Sequence, residues 1–264
     1  MNKETKKVCL TIAGVDPSGG AGVIADIKTF TAFGCFATAA VSSITFQNTT
    51  GVFGALSQSA DTVRQQVQPI FDDLSVAAVK SGMLPTSEVI QVVADLMIQK
   101  KVANFVVDPV VRSTSGFDLI DDVALRSLIA NLFPIALLVT PNIPEAERIT
   151  GIAIKNNQDI ITAAEIMQKF GAKNVLIKGG HRINEDQEFA VDHLFSKSGH
   201  SEYKSLYIET KGTHGTGCVL SAAITANLAL GKPLDEAIQI AKDYVSDALL
   251  VSNELGGGNH PLNI

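Results

Sequence analysis

Lys211-Gly-Thr-His-Gly-Thr-Gly-Cys218 runs directly into Val219-Leu-Ser-Ala-Ala-Ile-Thr-Ala-Asn227. Gly212, Gly215 and Gly217 allow sharp bends and a close approach of the backbone to a ligand. Ala and Leu dominate the segment after Cys218, which predicts a helix that stops at Gly231-Lys-Pro233. A glycine turn feeding a helix leaves amide N–H groups unpaired, and the helix dipole adds about half a positive charge there. Such a place suits an anion, most often a phosphate. Cys218 falls in the first helical turn, where a thiol pKa is expected below the free value of about 8.5. The plainer reading is a tight turn before a core helix, with Cys218 as a small buried apolar side chain. The rest of the chain decides between them.

Upstream, apolar runs alternate with loops and helical patterns. Val8–Gly14 reads as a buried strand, followed by the loop Val15-Asp-Pro-Ser-Gly-Gly-Ala-Gly22. Val23, Ile24, Ile27, Phe30 and Phe33 recur at helical spacing before Gly34. Phe36–Phe46 is a second strand, with the polar loop Gln47-Asn-Thr-Thr-Gly51 after it. Strands over Val76–Val79, Asn104–Val107, Ala136–Val139 and Asn174–Ile177 lead into Lys80, Asp108, Thr140-Pro-Asn-Ile-Pro-Glu145 and Lys178-Gly-Gly-His181. Helices are expected over 61–71, 86–101, 121–132 and 160–170, with a last amphipathic one from Leu234 to Leu249. Gln187–Leu194 and Glu202–Ile208 read as antiparallel edge strands. This order predicts an α/β fold: a mostly parallel central sheet, helices on both faces and a few antiparallel edge strands. No linker, low-complexity segment or longer repeat interrupts it, so one domain is expected over 1–264. Asp16, Gln47, Lys80, Asp108, Asn142 and Lys178 all fall at the C-terminal ends of predicted strands, the edge where such sheets bind ligands.

Composition narrows the function. Apolar residues make up 46% and charged ones only 18%, so the chain can bury a large core. The net charge of −6, with no basic cluster longer than Lys100-Lys101, argues against nucleic acid as a partner. No apolar run is long enough to span a membrane, and the charged N-terminus lacks a signal-peptide pattern. Cys9, Cys35 and Cys218 are odd in number and far apart, which fits a reducing cytoplasm. His181 and His214 lack the spacing and the third ligand of a zinc site. No Walker sequence is present. An acidic protein that binds an anion must do so locally, with amides, a few cations and a metal.

Four motifs together carry a resemblance: Thr11-Ile-Ala-Gly-Val-Asp-Pro-Ser-Gly-Gly-Ala-Gly22, Gln47-Asn-Thr49, Lys178-Gly-Gly-His181 and Thr213-His-Gly-Thr-Gly-Cys218. They are similar to the hydroxymethylpyrimidine/phosphomethylpyrimidine kinases of thiamine synthesis, in the ribokinase-like superfamily. Lys80-Ser-Gly-Met-Leu84, Val107-Asp-Pro-Val110 and Thr140-Pro-Asn-Ile-Pro-Glu145 match as well, so the resemblance spans about Val8 to Ala248 in order. It implies a ribokinase-like fold, ATP- and Mg²⁺-dependent phosphorylation of 4-amino-5-hydroxymethyl-2-methylpyrimidine and then of its monophosphate, and a homodimer. Pyridoxal and pyridoxine kinases are close relatives and stand as the alternative. A non-catalytic ligand-binding protein of the same fold is a further one, disfavoured by retention of the whole motif set.

The resemblance assigns roles residue by residue. The amides of Gly215, Thr216, Gly217 and Cys218 would hold the transferring phosphoryl group, with the Cys218 thiol beside the acceptor hydroxyl. A neutral thiol would not repel a second acceptor that is itself a phosphate. Gln47 would pair with the aminopyrimidine edge. Gly14 would lie at the ring, and Met83 and Val110 would sandwich it, though both also suit a core. Asp26 is either a substrate contact or a solvated helix residue. Lys178, Gly180, Thr213 and Asn142 would contact ATP. Asp108 and Glu145 would hold Mg²⁺ through water. Two departures stand out: Val15 replaces a usual Ser or Thr, and Arg112-Ser-Thr replaces a Lys-bearing sequence. The retained Gln-Asn-Thr run favours the pyrimidine over pyridoxal.

Overall fold

A computed structural model describes residues 5–113, 116, 118–180, 188–251 and 254–264. His181, Thr114 and Gln187, each part of a motif or strand expected from the sequence, lie outside the described residues.

Strands β1 (Val8–Val15), β2 (Phe36–Asn48), β3 (Gly51–Ser57), β4 (Val76–Ser81), β5 (Phe105–Val107), β6 (Leu138–Val139), β7 (Val175–Ile177), β8 (Phe189–Ser196) and β9 (Gly199–Leu206) share one sheet. Their order is β3-β2-β1-β4-β5-β6-β7-β8-β9. The run from β2 to β7 is parallel, while β3, β8 and β9 pair antiparallel at the two edges. Helices α1 (Gly22–Ala32), α2 (Ala60–Asp73), α3 (Ser87–Gln99), α4 (Asp122–Asn131), α5 (Ile143–Thr150), α6 (Asn157–Lys169), α7 (Thr216–Ala229) and α8 (Leu234–Leu250) cover it.

The period-two alternation of the strands sends neighbouring side chains into separate cores. In β5, Phe105 and Val107 join the core under α2 to α6, while Val106 joins Leu220, Ile224 and Ile238 of α7 and α8 on the other face. Leu138 and Leu176 follow Val106; Val139, Val175 and Ile177 follow Phe105. All three β5 side chains are fully buried, a gain of about 1.5–3 kcal/mol each before entropy. Strands buried on both faces explain the unbroken apolar runs of the sequence. Helices on both faces, expected from the strand–helix alternation, are present.

Two elements differ from expectation. Gln47 and Asn48 end β2 instead of lying in a loop, and Thr49-Thr50 turns the chain into β3, which the sequence reading left unassigned. Ile143–Thr150 forms a helix that the sequence reading did not delimit. Asn142 caps α5, and Gly151 closes it at φ 75°. Among the described residues no helix is long and apolar enough to cross a membrane.

β1 pairs with β2 on one side and with β4 on the other. Successive connections therefore diverge at β1, and the crevice at its C-terminal end is the fold's natural ligand site.

Candidate active site

Gly215 is the N-cap of α7 at φ 82°, with no side-chain cap. α1 also starts without one, after Ala21. In contrast, Ser59, Thr86, Asp121, Asn142 and Asn156 each cap their own helix through a side-chain oxygen. These two starts meet, whereas α8, uncapped after Pro233, starts elsewhere in the chain. A Cβ on Gly215 would lie 1.8 Å from the Gly20 carbonyl oxygen, so both the space and the left-handed backbone demand glycine. The Gly22 amide points its positive end towards Cys218 closely enough to favour the thiolate. Two positive dipole ends thus share one place, as an anion cradle requires, with the Thr216 amide directed at the Thr213 carbonyl at 3.4 Å.

A cation lies against this cradle. A Cβ on Gly217 would be 3.0 Å from Lys178 Nζ, so the third glycine of the turn makes room for the ammonium. Lys178 stands just after β7, 2.9 Å from Asp108 Oδ1 and 3.9 Å from Glu145 Oε2. Asp108 also accepts hydrogen bonds from Thr140 at 3.0 Å and Ser221 at 3.1 Å. Asn142 and Glu145 form a reciprocal capping box, each side chain bonded to the other's amide at 2.8 Å. The Asn-x-x-Glu spacing therefore first builds the start of α5. Burial raises the Glu145 pKa to about 7; Lys178 opposes the rise and Asp108 adds to it. Burial also works against the Lys178 charge, but Asp108 and Glu145 outweigh it and keep the pKa above the usual lysine value.

Beneath Cys218 lies a second pair. Lys80 Nζ is 2.6 Å from Asp26 Oδ1, and both side chains are fully buried. Thr11 donates to the other Asp26 oxygen at 2.6 Å. Asp26 is therefore neither a solvated helix residue nor open to substrate; its carboxylate is occupied, and it positions Lys80. Burial disfavours the Lys80 charge, but Asp26, Cys218 and Asp108 together raise its pKa above the ordinary value. The thiol pKa is also corrected. Burial lifts Cys218 to about 11, with Asp108 and Asp26 adding to the rise and Lys80 and the Gly22 amide opposing it. The helix start alone predicted a fall; desolvation is the larger effect. The thiol is neutral at pH 7.

On the β1–β2 side, Gln47 lies near Asp16 and helps to stabilise its carboxylate. Asp16 is nearly fully buried and accepts from Ser18 N at 2.8 Å, Ser18 Oγ at 2.6 Å and Ala21 N at 2.9 Å, and contacts His214 Nε2 at 2.7 Å. Burial would raise its pKa; His214, Ser18 and Gln47 outweigh that and hold it below the usual carboxylate range. Gly14 faces Met83, whose sulfur would lie 3.1 Å from a Cβ there. Met83 is buried and Val110 partly so. Thr213 and Gly180 are exposed, and Gly180 has open space around it. Val15 acts through its backbone, accepting from Thr45 at 2.8 Å. Arg112 is exposed and paired with Asp118 at 2.8 Å.

A cleft runs past Gln47, Asn48, Thr49, Gly51, Val52, Ser113, His214 and Asn259. Asn259 belongs to a C-terminal strap given no role by the sequence reading. Its amide donates to the Thr49 carbonyl at 2.9 Å, and the His260 amide donates to Lys211 at 2.8 Å. A Cβ on Gly258 would lie 2.0 Å from the Thr49 oxygen. Leu262 anchors the strap beside Ala25, Val219 and Ala248. The run Gly256-Gly-Gly258 was the available signal.

A family model described as phosphomethylpyrimidine kinase matches residues 16–263. The chain belongs to the phosphomethylpyrimidine kinase family. A hydroxymethylpyrimidine/phosphomethylpyrimidine kinase of Haemophilus influenzae is 43% identical over 258 residues, 97% of this chain and 96% of that one. The crystal structure of phosphomethylpyrimidine kinase from Clostridium difficile is 41% identical with a TM-score of 0.80, covering 92% of this chain and 100% of that one. An ADP complex of Bacillus subtilis pyridoxal kinase is 35% identical with a TM-score of 0.89, covering 98% and 97%. The ribokinase-like α/β fold and the kinase family expected from the motifs are both found.

Within this family member the glycine turn, Cys218, Lys178, Asp108 and Glu145 come together at one end of the sheet. Gln47 lies on the neighbouring hairpin. Lys80, Asp16, Ser221 and Asn259 are the site residues that sequence reasoning left without a role. Lys80 and Asp16 were visible as polar strand ends. Ser221 looked like any small residue of a core helix.

Proposed function

We propose that this family member transfers the γ-phosphoryl group of ATP to the hydroxymethyl oxygen of 4-amino-5-hydroxymethyl-2-methylpyrimidine, and then to the monophosphate so formed. The observation that carries this reading is the ammonium of Lys178 seated against Gly217, between uncapped helix starts and the Asp108–Glu145 carboxylates. Phosphoryl transfer needs positioning and charge stabilisation more than covalent help, and this arrangement supplies both. The α7 amides and Lys178 bind the transferring group. Asp108 and Glu145, close together and buried, suit a Mg²⁺ ion held through water. Bound there, the ion would neutralise charge on the phosphates. The substrate hydroxyl attacks the γ-phosphorus as the bond to the ADP oxygen breaks, and its proton passes late to an oxygen of the transferred phosphoryl group or to water. The neutral Cys218 sulfur accepts the hydroxyl's hydrogen bond until then.

On the acceptor side, the Gln47 amide lies near Asp16 and the cleft. Its N–H groups and carbonyl suit a ring nitrogen and the 4-amino group. Gln47→Leu is expected to weaken pyrimidine binding by about 1–3 kcal/mol with ATP binding unchanged, measured by calorimetric titration. Equal losses for both ligands would make Gln47 structural. The likeness to a pyridoxal kinase supports pyridoxal phosphorylation as a second reading. Steady-state rates with both alcohols separate them: kcat/KM is expected to be higher for the pyrimidine, and the reverse order would reassign the substrate.

We propose a homodimer in a reducing cytoplasm. Ile44, Phe46 and Leu56 lie on the β2–β3 hairpin with 41%, 53% and 57% exposure, and Phe53 reaches 69%. An apolar patch of this kind marks an interaction surface. Sedimentation equilibrium is expected to show a dimer that Phe46→Lys with Leu56→Lys converts to monomer. A dimer that survives the double substitution would place the interface elsewhere.

A further inference from the structure

The β8–β9 hairpin, at the sheet edge beyond the groups assigned to phosphoryl transfer, gathers two imidazoles and a carboxylate. Antiparallel register sets His193 opposite Glu202 and Phe195 opposite His200. His193 and His200 are therefore diagonal neighbours on the same face as Glu202. His193 Nδ1 is 3.1 Å from His200 Nε2 and 3.8 Å from Glu202 Oε1. One ligand atom from each residue lies within 4.8 Å of the other two. A tetrahedral ion with bonds of about 2.0–2.1 Å holds its ligands roughly 3.3 Å apart, so small side-chain rotations bring the three into place.

The set is partly preorganised. His193 is only 5% exposed. The His200 ring stacks on Phe195 with centroids 4.5 Å apart. Lys204 holds Glu202 Oε2 at 2.8 Å, which directs the carboxylate as an outer hydrogen bond does, although its own charge opposes an arriving cation. Solvent can supply the fourth position.

We propose that His193, His200 and Glu202 form a binding site for a first-row divalent cation of the zinc and copper class. Two imidazoles with one carboxylate suit these ions and not Mg²⁺, which prefers oxygen. A bound ion clamps β8 to β9. It also acts near the Lys178 loop, because Asp192, next to His193, accepts from the Gly179 amide at 2.7 Å and pairs with Lys242 at 2.9 Å.

Calorimetric titration of the tag-free, metal-stripped protein with ZnCl₂ tests this. One saturable site is expected. His200→Ala and Glu202→Gln, both at exposed or half-exposed positions, are expected to weaken it at least about tenfold, the lower end of what loss of even an outer partner costs. Melting temperature without zinc keeps a folding defect separate from a lost ligand. No saturable binding, undiminished binding in both variants, or binding abolished by Cys218→Ser would each overturn the proposal.

Discussion

Lys178→Met is expected to lower kcat/KM for phosphoryl transfer about a thousandfold. Its ammonium lies between Asp108 and Glu145 and touches the Gly217 position at the start of α7. Charge accumulates on the transferring group there, and loss of a single preorganised donor in such a place costs about 2.7–4 kcal/mol of barrier. Methionine keeps most of the length of the side chain and removes the charge together with the N–H donors, including the bond to Asp108. The fold should tolerate this, because Asp108 retains Thr140 and Ser221, and Glu145 can take up a proton with its pKa already near 7. Lys80→Met is the instructive contrast. Its partner Asp26 is wholly buried, and stripping one member from such a pair costs about 3–5 kcal/mol. Lys178→Met should therefore lose activity with a small change in melting temperature, while Lys80→Met should lose stability first. Retention of the wild-type rate within about tenfold in Lys178→Met would remove the ammonium from the proposed chemistry.

The contrast between these two lysines also shows what the sequence could reveal. Both stand at the ends of apolar strand runs, and that edge was legible from the alternation of strand and helix. Five of the six parallel strands were read from apolar runs that are buried on both faces; β2, with Ile44 and Phe46 exposed, was read from its apolar content alone. Lys178, followed by two glycines, advertised a ligand. Lys80 did not, because its meaning depends on Asp26, 54 residues away in sequence and adjacent only once β1 and β4 pair. The same limit hid the C-terminal strap, whose value lies in contacts with Thr49 and Lys211. β3 escaped because Gly54 breaks a short run whose large side chains, Phe53 and Leu56, are exposed, so no core-facing alternation marks it. α5 escaped for a different reason. Asn142 and Glu145 carried the signature of a capping box, and Pro144 suits a first helical turn, but Asn142 was read as an ATP contact and Glu145 chiefly as a Mg²⁺ ligand, so no helix bounds were drawn. The thiol pKa was misjudged because local sequence announces a helix start, whereas burial of a sulfur is decided by the whole fold.

That correction sharpens the expectation for Cys218. With its pKa near 11, the thiol carries no charge between pH 6 and 9, so kcat should show no inflection belonging to it in that range. Cys218→Ser keeps a small neutral group and the amide cradle; a lower kcat with nearly intact ATP affinity is expected. Cys218→Asp tests why the position is neutral at all. Asp108 and Asp26 already bear on this atom, and Lys80 and the Gly22 amide oppose them. A carboxylate added there faces an uncharged alcohol in the first phosphorylation and a phosphate-bearing acceptor in the second. Two like charges about 4 Å apart at an effective dielectric of about 20 repel by roughly 4 kcal/mol, or about a thousandfold in rate. The second step should therefore fall about a thousandfold further than the first, with product analysis showing the monophosphate accumulating. Equal losses in both steps would mean that charge compatibility does not select the thiol, and that Cys218 serves the shape of the α7 start. An inflection near pH 8 that disappears in Cys218→Ser would instead mean that the thiolate itself takes part.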